Sequence, residues 1–291
     1  KFNKDLKVAW DPGNGAAGAI IKKIVKMLPG EHTLINSEIN GLFPSHHPDP
    51  TDPKNLKEIM ALVRNKELDI GLAFDGDGDR LGVVSSKGRI VWGDQLLAFL
   101  SKEVLRNMPN SSIIADVKAS QNLFNEIEKY GGVPIMWKTG HSFIKSKMKE
   151  ISSPLAGEMS GHIFFADRYL GYDDGIYAAL RVLELIEDRY TLDNFLDSLP
   201  KTFSTQEIKI ECSDDRKFNI IKELASTLDS ENIKVNKVDG LRVQKDDGWW
   251  LLRASNTQAV LVARLEAKSK SSLNNLQKEL NLYLNKFNLS L

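Results

Sequence analysis

Apolar residues along the chain fall into two alternating periods. Short apolar runs such as "LKVAW" (6–10), "HTLIN" (32–36), "DIGLAF" (69–74), "SIIAD" (112–116) and "VPIMW" (133–137) have the length and bounding turns of buried strands. Between them lie stretches in which apolar residues recur every three or four positions. These are "GAAGAIIKKIVKML", "NLKEIMALVRNKE", "DQLLAFLSKEVLRNM", "NLFNEIEKYG", "SFIKSKMKEI" and "DGIYAALRVLELIED", and each predicts a helix with one buried face. Strand then helix, repeated, is the pattern of a mainly parallel sheet covered by helices. The repeat has an internal echo: "VAWDP" and "IIADVK" both end a strand in Asp and run on toward a helix. "RLGVVSSKGRIV" breaks the alternation with a hairpin around Lys87-Gly88, and "PLAGEMSGHIFF" reads as strand, loop, strand.

Near residue 204 the pattern changes. "TQEIKIEC" predicts a strand, "RKFNIIKELAST" a helix, "IKVNKVDGLRVQKDDGWWLLRAS" and "AVLVARLEA" several strands, and "LNNLQKELNLYLNKF" a last helix. The expected architecture is therefore two tandem α/β domains with mainly parallel mixed sheets, residues 1–106 and 107–203, followed by a C-terminal α+β domain, residues 204–291. The first strand stands almost at the start of the chain, which reads as an entry in mid-protein.

Composition narrows the function classes. The 291 residues carry 42% apolar side chains, enough for sizeable cores. Lys plus Arg equals Asp plus Glu, at 39 each, so no charge excess points to nucleic acid or an anionic membrane. No apolar run reaches the roughly 18 residues of a membrane span, and "KFNKDLKVAWDPGNG" lacks the apolar core of a signal peptide. The single cysteine, Cys212, excludes an internal disulfide and fits a reducing cytoplasm.

Chemistry concentrates in a few stretches. "FDGDGDR" sets Asp75, Asp77 and Asp79 at alternate positions with Arg80 directly after. Carboxylates this close repel unless a cation lies among them. Hard oxygen ligands suit Mg²⁺ or Mn²⁺. A calcium loop of the EF-hand type is excluded, because Arg80 and Ser86 stand where it needs Gly and Glu. The loop follows the apolar strand "DIGLAF", and the carboxyl ends of strands are where open α/β sheets place ligands. "GEMSGH" offers Glu158, Ser160 and His162, a set able to donate to and accept from neighbouring sugar hydroxyls. "RASNT" offers Arg253, Ser255, Asn256 and Thr257 between two strands, which suits a phosphate. Lys118 and His141 each follow an apolar strand and precede a helix. "SHHP" tempts a nucleophile assignment for Ser45, but the prolines at 44, 48 and 50 stiffen the loop and no orienting third group can be named.

"DGDGDR", "GEMSGH" and "RASNT", in that order, resemble the metal, sugar-recognition and phosphate-binding loops of the α-D-phosphohexomutase family, phosphomannomutase/phosphoglucomutase branch. The resemblance runs over essentially the whole chain and matches the second, third and fourth of the family's four domains. It implies a reversible mutase that interconverts hexose 1- and 6-phosphates of mannose or glucose through a hexose 1,6-bisphosphate. In that scheme Asp75, Asp77 and Asp79 hold Mg²⁺, and Arg80 stabilises the phosphoryl group in flight. Lys118 and His141 shuttle the proton of the attacking hydroxyl. Glu158 and Ser160 hold sugar hydroxyls, His162 assists, and Arg253, Ser255, Asn256 and Thr257 clamp the phosphate that is not transferring. The family's phosphoserine lies in a T-x-S-H-N-P-type loop of the first domain. No such loop occurs here, and the "HHPDP" segment matches the family's second domain. The chain alone is therefore expected to be inactive, with a separate phosphoserine domain as partner. Gln258-Ala259 also replace the family's usual Pro. Phosphoglucosamine mutases tend to carry "GEQSGH" and a Gly where Asn256 stands, so Met159 and Asn256 favour the hexose branch. A non-catalytic sugar-phosphate-binding protein is the alternative from another class.

Overall fold

The computed structural model describes residues 5–291, so the first four residues of the expected 1–106 block lie outside the described residues. The described chain forms two compact units, one running to Leu199 apart from Met136–Thr139, the other comprising Met136–Thr139 and Pro200–Leu291.

The first unit holds two sheets. Strand β1 (Lys7–Asp11) leads into helix α1 (Ala17–Ile24), then β2 (Glu31–Leu34), α2 (Lys57–Asn65), β3 (Ile70–Phe74), β4 (Leu81–Ser85) and β5 (Ile90–Val91). The sheet order is β2-β1-β3-β4-β5. Its first half is parallel and its second antiparallel, with β3 and β4 paired from Ile70↔Ser85 to Phe74↔Leu81. Helix α2 places Ile59 and Val63 on Ala9, Ala73 and Val84 of this sheet. The predicted α1 is cut short at Ile24, ahead of Pro29, a residue type that disfavours helix in what precedes it.

Helix α3 (Gly93–Asn107) follows, then β6 (Ser112–Asp116), α4 (Gln121–Lys129), β7 (Val133–Trp137), α5 (His141–Ile151), β8 (Leu155–Gly157), β9 (Ile163–Phe165), α6 (Gly175–Leu185) and α7 (Thr191–Ser198). The second sheet runs β7-β6-β8-β9, with β6 parallel to β8 and β8 antiparallel to β9. The echo seen between "VAWDP" and "IIADVK" is structural. Asp11 and Asp116, both fully buried at strand ends, each accept the backbone N–H two residues on, from Gly13 at 2.9 Å and Lys118 at 3.0 Å. Such Asx turns close a strand and start the path to the next helix.

Helix α7 was not evident in the apolar pattern. It is fastened by Asp193, which is fully buried and accepts the Ser85 and Ser86 hydroxyls at 2.8 Å each, together with Arg89 Nε at 2.7 Å. These residues belong to the β4–β5 hairpin, so one carboxylate ties the helix to the first sheet.

The second unit is α+β. Strands β10 (Phe203–Ser204) and β11 (Ile208–Glu211), helix α8 (Asp214–Ser230), strands β12 (Val235–Asn236), β13 (Leu241–Lys245), β14 (Gly248–Ala254) and β15 (Val260–Ala267), and helix α9 (Lys270–Asn285) follow in order. The sheet is antiparallel, ordered β10-β15-β14-β13-β12 with β11 also on β15. Alternate residues Trp250 and Leu252 of β14 and Leu261, Ala263 and Leu265 of β15 meet Ile220, Leu224 and Leu228 of α8 and Leu276, Leu280 and Leu284 of α9. The two-residue period of strands and the four-residue period of helices thus build one core. No helix among the described residues is long and apolar enough to cross a membrane.

Candidate active site

The metal-type loop is the connection between the antiparallel strands β3 and β4. Residues 75–80 span it, and the ligand oxygens of Asp75, Asp77 and Asp79 lie within 4.8 Å of one another. Gly78, at φ +84°, makes the reversal that a side chain would strain. Asp75 is buried and organises the turn. Its Oδ1 accepts the backbone N–H groups of Gly78 at 3.0 Å and Arg80 at 3.1 Å, and its Oδ2 accepts Arg80 Nε at 2.7 Å. Burial alone would raise the Asp75 pKa, but the Arg80 side chain and backbone hold it below the ordinary carboxylate value. Asp79 goes the other way. Burial, with the Asp75 and Asp77 charges adding to it against His162, pushes it up to about 6. Three converging carboxylates, one of them reluctant to ionise, are a donor set that a hard divalent cation relieves, so the residues fit Mg²⁺.

Arg80 is fixed from two sides, by Asp75 and by Asp49, whose Oδ1 accepts Nη1 at 3.2 Å. Asp49 belongs to the "HHPDP" segment. That segment is clasped at His46, whose Nε2 stands 2.9 Å from Asp11 Oδ2 at the end of β1. The Asp11 hydrogen bond, against some cost of burial, raises His46 to about 9. Ser45 is exposed, and nothing in this geometry activates it.

The sugar-type loop, residues 158–162, joins β8 to β9 and lies directly against the metal-type loop. Leu81 donates its N–H to the Gly161 carbonyl at 3.0 Å, and Arg80 pairs with His162 as an isolated bridge. His162 Nε2 is 3.4 Å from Asp79 Oδ2, and its Nδ1 is 2.8 Å from Ser160 Oγ and 3.3 Å from Glu158 Oε2. Burial opposes charge on this imidazole, but Glu158, Asp79 and Asp173 outweigh it and raise its pKa. Glu158 is buried and accepts the Gly140 N–H at 2.6 Å. That bond anchors the start of α5, whose first residue is His141. His141 Nδ1 stands 3.0 Å from Asp173 Oδ2, and the His141 and His162 rings stack with centroids 5.8 Å apart. Lys118 is buried beside Asp116, its Nζ 3.9 Å from Oδ2. Asp116 in turn accepts the Met159 N–H at 3.2 Å, which links Lys118 to the sugar-type loop.

Two residues of this cluster carry no sequence motif. Asp173 holds both His141 and Lys145, the latter at 2.8 Å. The only signal was the doubled "DDG" ahead of an apolar helix. One Asp of the pair, Asp174, caps α6 by accepting the Tyr177 N–H at 2.8 Å, which leaves the other for another task. Gly175 is the second. Its N–H donates to the Gly78 carbonyl at 3.0 Å, and a Cβ there would meet the Gly78 and Arg80 carbonyl oxygens at 2.8 Å. Only glycine lets α6 approach the metal-type loop so closely.

The "RASNT" loop lies in the second unit, between β14 and β15. Arg253 and Ser255 are buried, Asn256 and Thr257 exposed. Ser255 Oγ accepts the N–H groups of Thr257 at 3.3 Å and Gln258 at 3.1 Å, and Lys217 Nζ donates to the Gln258 carbonyl at 2.9 Å. Lys217 thus steadies the turn at Gln258. Arg253 donates through Nε and Nη2 to Asp239, at 3.0 and 3.4 Å. Asp239, in the turn before β13, was not singled out from the sequence, and it holds the guanidinium in place.

Comparison with known proteins agrees with this layout. Residues 1–88 match the model of phosphoglucomutase/phosphomannomutase alpha/beta/alpha domain II, 92–203 that of alpha/beta/alpha domain III, and 207–282 that of the C-terminal domain. A phosphomannomutase/phosphoglucomutase of Pseudomonas putida is 47% identical over 278 residues, 95% of this chain and 60% of that protein. A phosphoglucomutase of Neisseria meningitidis is 43% identical over 281 residues, 96% and 61% of the two chains. The crystal structure of a phosphoglucomutase/phosphomannomutase family protein from Burkholderia thailandensis superposes with a TM-score of 0.91 at 41% identity, covering 98% of this chain and 61% of that one. The chain therefore spans about 60% of the length of these relatives. With three consecutive domain models matched in order, and with the acidic loop, the sugar-type loop and the "RASNT" loop each built as described, the chain belongs to the α-D-phosphohexomutase family, in its phosphoglucomutase/phosphomannomutase branch.

Proposed function

We propose that this chain supplies the metal, sugar and phosphate sites of a phosphohexomutase that interconverts mannose or glucose 1-phosphate and 6-phosphate through a hexose 1,6-bisphosphate. The observation that carries the reading is the junction of two loops: the acidic turn of 75–80 and the Glu158–His162 loop share a backbone hydrogen bond and an Asp79–His162 contact. Phosphoryl transfer needs positioning and charge neutralisation more than covalent chemistry from the protein, and this junction offers both. Three modules are proposed, following the family domains II, III and IV, with α3 packed against α4 and β8 of the second.

Asp75, Asp77 and Asp79 would hold Mg²⁺, which when bound supplies positive charge to the transferring phosphoryl group. Arg80, anchored through Nε and Nη1, offers Nη2 to a phosphoryl oxygen. Its pKa is raised, because Asp75 and Asp49 outweigh the cost of burial, so the guanidinium keeps its charge throughout. Asp173 fixes the Nδ1 edge of His141, leaving Nε2 to exchange a proton with a sugar hydroxyl. Buried Lys118 is the second candidate for that exchange. Glu158 and Ser160 orient the sugar hydroxyls, with His162 between them. In the second unit Arg253, Ser255, Asn256 and Thr257 bind the phosphate that is not transferring. The one cysteine, the buried Cys212 thiol, suits a reducing cytoplasm.

On this reading a phosphoserine gives and takes the phosphoryl group; none of the loops described supplies one, so turnover by residues 1–291 requires a phosphoserine-bearing domain. A coupled assay on the purified chain, with and without such a domain supplied in fusion, tests this. Turnover is expected only with the added domain and only with Asp75, Asp77, Asp79 and Arg80 intact. Mutase activity of the chain alone that survives Asp79→Asn and is abolished by Ser45→Ala would overturn the assignment.

A further inference from the structure

Besides the three-aspartate set, a second group of donors converges in the first unit: one ligand atom each from Asp79, His162 and Asp173 lies within 4.8 Å of the others. We propose that these three residues form a site for a borderline-soft divalent cation of the Zn²⁺ or Co²⁺ type, which shares Asp79 with the magnesium loop. The proposal rests on the magnesium reading only in that shared residue.

The geometry of this group admits a shared ion. His162 Nε2 and Asp79 Oδ2 stand 3.4 Å apart. That is long for a charge-assisted hydrogen bond, which closes to about 2.7–2.9 Å. It also matches the spacing of two donors bound to one tetrahedral ion, since arms of about 2.0–2.1 Å put their ends roughly 3.3–3.4 Å apart. The donor set of one imidazole and two carboxylates recurs in zinc sites, whereas magnesium prefers oxygen alone. A tetrahedral ion on three protein donors keeps its fourth position for water or a phosphate oxygen.

The surroundings of the donors are the independent observation. A metal-bound histidine characteristically presents its other ring nitrogen to a carboxylate or similar acceptor, which fixes the ring. His162 Nδ1 does this, with Glu158 Oε2 at 3.3 Å and Ser160 Oγ at 2.8 Å, and so directs Nε2 toward Asp79. Glu158 is in turn tied to the Gly140 N–H. Asp173 is held by Lys145 at 2.8 Å and His141 at 3.0 Å. Two of the three donors, His162 and Asp173, thus have buttresses that do not belong to the triad. Occupancy by the softer cation would withdraw Asp79 from the magnesium set and hold His162 away from the sugar, so the two cations compete.

Co²⁺ is the probe, because tetrahedral coordination gives intense visible d–d absorption and octahedral coordination does not. Titration of the full chain with Co²⁺ should give the tetrahedral spectrum, and Zn²⁺ should abolish it. Asp77→Asn should leave that spectrum intact, because Asp77 is not in the triad. His162→Gln and Asp173→Asn, made separately so that a folding defect in one does not decide the matter, should each weaken binding about tenfold or more, and Glu158→Gln by about 10–100-fold through loss of the buttress. Added Mg²⁺ should raise the apparent Co²⁺ dissociation constant. A weak octahedral spectrum that disappears in Asp77→Asn but persists in both His162→Gln and Asp173→Asn would overturn the proposal, since Co²⁺ would then sit only in the carboxylate loop. The readout is absorption, not turnover, so failure of the mutase reading leaves it unaffected.

Discussion

Replacing His46 by Gln removes a titratable group whose partner, Asp11, is fully buried at the end of β1. The imidazole is raised from 6.5 to about 9, so between those values the folded chain keeps a proton that the unfolded chain has released. Stability then falls as pH rises, because the native state binds more protons. The contribution is complete below pH 6.5 and is lost as pH passes through about 9. A shift of this size converts to about 3 kcal/mol by linkage, and solvent reaching the partly exposed edge of the imidazole screens this to about 1–2 kcal/mol. Urea unfolding of wild type and His46→Gln at pH 6, 7.5 and 10, followed at the tryptophans, measures it. The wild type should lead by about 1–2 kcal/mol at the lowest pH, with the gap closing at the highest. With only five histidines in the chain, the His46 imidazole can be identified by its absence from the variant's NMR spectrum, and its titration should centre near 9. A stability gap that does not change across this range would refute the clasp. So would an imidazole that titrates near 6.5.

Asp193→Ala should cost about 1–3 kcal/mol, because it leaves the buried Ser85 and Ser86 hydroxyls around a vacated carboxylate while Arg89 keeps Asp197; thermal or urea unfolding measures this, and a loss under about 0.5 kcal/mol contradicts the role given to that residue. Calorimetric Mg²⁺ affinity should fall in Asp77→Asn, and equal affinity would show that the acidic loop does not hold the cation. Arg253→Ala should weaken glucose 1-phosphate or mannose 1-phosphate binding by about 1.5–3 kcal/mol, roughly ten- to 150-fold, as expected for a charge-assisted contact. Gly175→Val should displace the acidic loop, seen as weakened Mg²⁺ binding at a position that offers no ligand.

The elements that could be read from the chain are those whose faces repeat. Ile59 and Val63, or Ile220, Leu224 and Leu228, announce a helix because burial selects every fourth position. The three chemical loops were legible for a related reason: each gathers its donors within six residues, so spacing along the chain is spacing in space. Asp173 and Asp239 were not legible, because their partners His141 and Arg253 lie 32 and 14 residues away. Helix α7 escaped as well, since a buried carboxylate rather than an apolar stripe fastens it to the hairpin 104–108 residues earlier. Gly175 gave no signal beyond ending "DDG", because the demand for glycine comes from the carbonyls of residues 78 and 80, which only folding brings near.

The bond from the Leu81 N–H to the Gly161 carbonyl joins two loops through main-chain atoms alone. A joint of that kind is indifferent to which side chains flank it. If the proposed function holds, mutational drift at Met159 or Ser160 can retune which hexose is accepted without breaking this bond. On that reading, substrate preference and phosphoryl chemistry can vary separately, with the Asp79–His162 contact as the side-chain link between the two loops. Proline at position 81 would remove this bond, and hydrogen exchange should show the Leu81 amide protected as long as the two loops stay joined.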